Sequence, residues 1–104
     1  MEKLNRNIII SRLVSNTKTI RNLGVDKVGL FGSYLIDKQN SQSDIDILVE
    51  FQKGENKFDN FMNLCFLLDE LFKGKKVEVV TTNSLSPYIG PKILQQVEYV
   101  PLSS

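Results

Sequence analysis

Val28-Gly29-Leu30-Phe31-Gly32-Ser33, then ten residues, then Asp44-Ile45-Asp46-Ile47-Leu48-Val49-Glu50-Phe51 is the stretch whose reading decides the fold. Two apolar runs flank a glycine-serine turn and a polar loop. The second run alternates: Ile45, Ile47, Val49 and Phe51 fall on one face, and Asp44, Asp46, Leu48 and Glu50 on the other. Side chains two apart on a strand share a side of the sheet, so the two aspartates point the same way. A Gly-Ser turn leaving a strand is suited to holding phosphate. The missing Cβ lets the backbone come close, and Ser33 with nearby N–H groups can donate. Phosphate grip plus paired carboxylates is the minimum set for metal-assisted phosphoryl or nucleotidyl transfer.

Upstream, the spacing predicts a helix over 3–22, with Leu4, Ile8, Ile9, Leu13 and Ile20 on its apolar side and Gly24 as C-cap after Leu23. The first strand follows over 26–31, and Ser33 caps a short helical turn through Leu35-Ile36. Residues 37–43 are a polar loop. Downstream of the strand at 44–51, a polar turn with Gly54 leads to a helix over 57–73. Its apolar residues are Phe58, Phe61, Met62, Cys65, Leu68 and Phe72, and Gly74 stops it. A third strand is predicted over 75–82. Pro87 and Pro91 divide the next helical region, to about Val97, into two short pieces. Glu98-Tyr99-Val100 reads as a last short strand. The order makes an α/β layer, a small mixed sheet flanked by helices. The link between the first two strands is long enough for either strand direction.

The chain has 104 residues, so one domain over 1–104 is expected, with a modest core. A net charge of +1, from 13 basic and 12 acidic residues, gives no support for direct binding of nucleic acid. There is no histidine, which excludes histidine triads, histidine general bases and histidine-ligated zinc. The one cysteine, Cys65, sits in an apolar run and reads as a small core residue; no intrachain disulfide can form. No segment has the ~18 apolar residues that span a bilayer, and the first residues lead into an amphipathic pattern, not a signal peptide. No membrane association is expected, and a reducing cytoplasm is the simplest home.

Taken alone, each part of the candidate site has a plain explanation. Asp44 and Asp46 could be the polar face of a half-exposed strand. Gly32 and Ser33 could be an ordinary strand exit, and Glu78 on the third strand an outward-facing side chain. Yet aspartate is a poor strand former, and two like charges this close call for a cation. A hard divalent ion with oxygen ligands is the natural partner, and Mg²⁺ suits carboxylates plus phosphates. Glu78 would add a third ligand from a neighbouring strand. The combination is harder to dismiss than any one part. No Gly-Lys-Ser/Thr follows Gly32, so this is not a Walker loop.

Gly32-Ser33, the ten-residue gap, Ser43-Asp44-Ile45-Asp46-Ile47-Leu48-Val49-Glu50-Phe51 and Val77-Glu78-Val79-Val80-Thr81 resemble the minimal nucleotidyltransferases of the polymerase-β-like superfamily. The likeness extends through Leu85-Ser86-Pro87-Tyr88 into Tyr99-Val100, covering nearly all the chain after the first helix. It implies the nucleotidyltransferase fold. It also implies that Gly32 and Ser33 hold the triphosphate of ATP, that Asp44 and Asp46 bind two Mg²⁺ ions, and that Glu78 completes the metal site. Where family members often carry Ala-Arg-Gly soon after the Gly-Ser, this chain has Tyr34-Leu35-Ile36-Asp37. Where the third carboxylate is often aspartate, it has Glu78. Both departures bear on rate more than on nucleotide binding.

The chain has a donor half-site and no evident acceptor domain. The resemblance implies an acceptor on another polypeptide, a HEPN-domain RNase toxin whose tyrosine receives AMP, with this protein as the antitoxin. A second reading is a catalytically weak antitoxin of the same fold that neutralises the toxin by occlusion. A third is a transferase for a small molecule or an RNA end. Of the apolar residues over 85–102 (Leu85, Tyr88, Ile89, Ile93, Leu94, Val97, Tyr99, Val100 and Leu102), most read as core and some as a patch for a partner or second copy, so homo- and hetero-oligomers are both compatible.

Overall fold

The computed structural model describes residues 3–102. Helices α1 (Arg6–Val14) and α2 (Thr17–Asn22) precede strands β1 (Val25–Phe31) and β2 (Ile45–Phe51). Helix α3 (Phe58–Leu71), strand β3 (Val77–Thr81), helix α4 (Gly90–Gln96) and strand β4 (Glu98–Val100) complete the chain. No helix among the described residues is long and apolar enough to cross a membrane.

Asn5 starts α1, its Oδ1 accepting from the Ile8 N–H at 2.9 Å. The helix predicted over 3–22 is broken at Ser15-Asn16. There Ser15 Oγ donates to the Ser11 carbonyl at 3.0 Å and Asn16 Nδ2 to the Arg12 carbonyl at 2.8 Å. Such side-chain bonds compete with the helical ladder, and the chain restarts as α2. Gly24, at φ +86°, turns it into β1. In α3 the buried residues are Leu64 and Leu68, with Phe72 buried just beyond the helix end. The predicted apolar stripe is therefore rotated: Phe58 is 77% exposed and Cys65 is only half-buried. Leu64 and Leu68 take the inward positions, with Leu67 packed beside them, because α3 is apolar on most sides and the sheet selects one of them.

The sheet order is β3-β2-β1-β4. Strands β1 and β2 are antiparallel, as are β1 and β4, whereas β2 and β3 are parallel and joined by the α3 crossover. This settles the direction that loop length left open. Val28, Leu30, Ile45, Ile47, Val49 and Val100 project to one side and form the core with Ile9, Leu13, Ile20, Leu64, Leu68 and Phe72. The helices α1–α3 thus cover that face.

The register assigns the opposite face. It carries Gly29 and Phe31 of β1, Asp46 and Leu48 of β2, Glu78 and Val80 of β3, and Tyr99 of β4. Strands β3 and β4 are the two edges, so the 82–97 arm must cross the sheet. It crosses on this face: a Cβ on Gly29 would lie 2.6 Å from Val97 Cγ2. Leu48, paired between Gly29 and Val80, is fully buried in the half under the arm. The other half, with Asp46 and Glu78, is left open.

Candidate active site

Asp46 sits where three pieces of backbone meet. Phe31 is its partner across β1 and Glu78 its partner across β3. Above it passes Gly32, whose φ is +79°. A Cβ built on Gly32 would fall 2.1 Å from Asp46 Oδ2. Glycine is therefore required twice, by the left-handed backbone and by the carboxylate occupying the space a side chain would need. Sequence reasoning explained Gly32 by the approach of a phosphate. The structure adds that Gly32 makes room for Asp46.

Beyond Gly32 the chain makes the single turn expected through Leu35-Ile36 and does not continue as a helix. The Gly32 carbonyl accepts from Leu35 at 3.1 Å, and the Ser33 carbonyl accepts from Lys38 at 2.9 Å. The N–H groups of Ser33 and Tyr34 take no part in these bonds. Asp37 closes the turn at φ 59°, a conformation aspartate tolerates better than most residues. Tyr34, 2% exposed, is the anchor: its ring enters the core while the backbone beside it stays at the surface. That role went unread in the sequence. The signal was an aromatic followed by Leu35-Ile36 between a glycine turn and a polar loop.

The loop then delivers Asp44. Ser43 Oγ accepts from the Asn40 N–H at 2.9 Å, and Asn40 Oδ1 accepts from the Gln42 N–H at 2.7 Å. Ile45 N–H donates to the Lys76 carbonyl at 2.9 Å and opens the β2–β3 ladder. Asp44 thus lies just before the strand, half-buried, two residues from Asp46.

The electrostatics follow from the placement. Burial, then the charge of Glu78, then that of Asp44, push the Asp46 carboxyl up from 3.8 to about 6. The ion pairs among the described residues, Arg6–Glu98, Lys57–Glu55 and Lys73–Glu70, involve none of these three carboxylates. Cys65 lies on α3 with its thiol pushed up by burial and by Asp69, so it offers no thiolate to this site.

The donor set is all oxygen, which fits a hard divalent cation. Among the described residues no three acidic or thiol side chains are gathered tightly enough to cage an ion unaided. Mg²⁺ does not need that: it takes one or two carboxylates and completes its octahedron with phosphate oxygens and water. The uncompensated charge around Asp46 would attract such an ion. A cavity of about 780 Å³ lies elsewhere; of the 32–34 turn it touches only Tyr34.

Comparison with known proteins gives this arrangement a lineage. Residues 9–100 match the family described as Polymerase beta, Nucleotidyltransferase. A protein adenylyltransferase, MntA, of Thermococcus cleftensis is 36% identical over 93 residues, which is 88% of this chain and 92% of that one. A solved structure provisionally named a minimal nucleotidyltransferase superposes with a TM-score of 0.79 at 22% identity, over 94% of this chain and 98% of the other. A chain from a toxin–antitoxin structure solved with AMP-PNP gives a TM-score of 0.55 at 26% identity, over 97% of this chain and 74% of that one. The mixed sheet is that of the minimal nucleotidyltransferases, and the chain belongs to the polymerase-β nucleotidyltransferase family.

Proposed function

We propose that this protein is a Mg²⁺-dependent protein adenylyltransferase that acts in the cytoplasm as the antitoxin of a toxin–antitoxin pair. Its 104 residues work as one domain. It moves AMP from ATP to a tyrosine hydroxyl of a HEPN-type RNase toxin. The observation that carries this reading is Asp46 under Gly32, in register with Glu78, on the open half of a sheet face whose other half is covered. The similarity to an adenylyltransferase and to a toxin–antitoxin structure holding an ATP analogue supports the choice of nucleotide and of partner.

In this reading Gly32 and the N–H groups and hydroxyl of the Ser33 turn hold the triphosphate. Asp44, Asp46 and Glu78 hold the divalent ions. When bound, those ions neutralise phosphate charge and lower the pKa of the attacking hydroxyl. The hydroxyl oxygen bonds to the α-phosphorus as its proton passes to solvent, the bond from that phosphorus to the bridging oxygen breaks, and pyrophosphate leaves. The chain's own part is to align phosphate and acceptor over the open half-face.

One observation favours the occlusion alternative: the stretch after Ser33, Tyr34-Leu35-Ile36-Asp37, holds no arginine to meet phosphate, and its turn presents Asp37, an exposed anion. A neutralisation assay separates the readings. Cells expressing the toxin should be rescued by this protein, and the Asp44→Ala/Asp46→Ala variant should bind the toxin but fail to rescue. Full rescue by that variant would replace transfer with occlusion.

A further inference from the structure

A cavity of about 780 Å³ opens between the start of α1, the 39–41 loop and the 73–75 turn. That volume is in the range of small-molecule sites. Its lining has a marked sign. Among the described residues Lys3, Arg12, Lys73 and Lys75 line it, and no acidic residue does. This is a local cluster of four cations in a chain whose net charge is +1.

The cations are held around the cavity. Arg12 lies over the Phe72 ring, 5.9 Å from its centroid, and its Nη1 donates to the Leu71 carbonyl at 3.0 Å. Lys75 Nζ reaches the Ser41 carbonyl at 3.2 Å across the cavity mouth. Lys73 pairs at 3.5 Å with Glu70 on the solvent side, where both are exposed and the pair holds it weakly. Leu4 and Ile8 supply an apolar wall, backed by Tyr34 and Phe72. On the loop side, Gln39 Oε1 is buried without a donor. An unpartnered buried acceptor is costly, and a rotation of the amide, whose Nε2 donates to Asp37 Oδ1 at 3.3 Å, would offer it to a ligand N–H.

We infer that this cavity binds a phosphorylated small molecule of nucleotide size, at a site separate from the carboxylates. Phosphate meets Lys73, Lys75 and Lys3, and the body of the ligand lies against Leu4 and Ile8. The described lining holds cations and no carboxylate, so phosphate can be met there by lysine directly, without a bridging divalent ion. Because Tyr34 backs the cavity and follows Ser33 in sequence, an occupant would press on the same turn that passes over Asp46.

The test is an amide-resolved NMR titration of the whole chain with AMP in EDTA, with adenosine and pyrophosphate as parallel probes. Without divalent ions the carboxylate half-face repels phosphate, so binding there does not interfere, and the outcome is independent of whether the protein transfers AMP. Expected are saturable shifts of the Gln39–Ser41 and Lys73–Lys75 amides. AMP should bind more tightly than either adenosine or pyrophosphate. The Lys73→Ala/Lys75→Ala variant should weaken AMP at least ten-fold with an unchanged amide fingerprint elsewhere. Added salt should weaken AMP binding to the unmodified protein several-fold. Unmoved amides at saturating AMP, adenosine or pyrophosphate binding as tightly as AMP, or affinity indifferent to salt and to the lysines would overturn the inference.

Discussion

Replacing Asp46 by asparagine should make the metal-free protein more stable at neutral pH. The carboxyl titrates near 6 in the fold against an ordinary value of 3.8. Between those values the folded protein keeps a proton that the unfolded chain has released. Stability therefore falls as pH rises from about 4 to about 6, and the full penalty stands above that range. At about 1.4 kcal/mol per pH unit the ceiling is ~3 kcal/mol. Asp46 is partly solvated, and screening reduces the working figure to ~1–2 kcal/mol. Asparagine keeps the shape of the protonated acid and removes the charge. For a domain of this size the gain corresponds to roughly 5–10 °C in melting temperature. Calorimetry at about pH 7.5 and about pH 4.5 should show the gain shrinking to about a third at the lower pH. Mg²⁺ should then stabilise the unmodified protein and leave the variant nearly unmoved. An asparagine variant no more stable than its parent at pH 7.5, or one with the same advantage at both pH values, would refute the assignment of uncompensated charge to this site.

Three further substitutions probe the supports of the half-face. Gly32→Ala imposes a left-handed backbone on alanine and drives its Cβ into Asp46 Oδ2; it should cost about 2 kcal/mol in urea unfolding and remove nucleotide transfer. Gly29→Ala brings a Cβ within 2.9 Å of the Glu98 carbonyl oxygen as well as against Val97, and should cost about 1–3 kcal/mol by the same assay as the arm is forced off the sheet. Tyr34→Ala removes the buried anchor of the turn and should cost about 3–5 kcal/mol, with faster proteolysis between residues 33 and 41. A loss under about 1 kcal/mol would mean the turn is held by something else.

The strand bearing the aspartates was legible because its alternation is strict where one face is core: Ile45, Ile47 and Val49 are buried and Asp46 is not. The short last strand and the glycine stops were legible for similar local reasons. What escaped the sequence was non-local. Helix α3 is apolar on most sides, so periodicity alone could not say that Leu64 would face the sheet and Phe58 the solvent. Leu48 shares its face of the strand with Asp44, Asp46 and Glu50. It is buried because an arm forty residues later crosses that half of the face, which no window around Leu48 contains. The carboxylates were named from spacing, but the fit of Asp46 under Gly32 depends on strand pairing between β1 and β2, whose direction the loop length did not settle.

The most direct test of the account is the intact mass of a HEPN-type toxin partner after incubation with this protein, Mg²⁺ and ATP, beside the Asp44→Ala/Asp46→Ala variant. The account predicts one or more added adenylyl groups on a tyrosine of the toxin with the unmodified protein and none with the variant. A toxin of unchanged mass, in a stable complex with the unmodified protein, would contradict it.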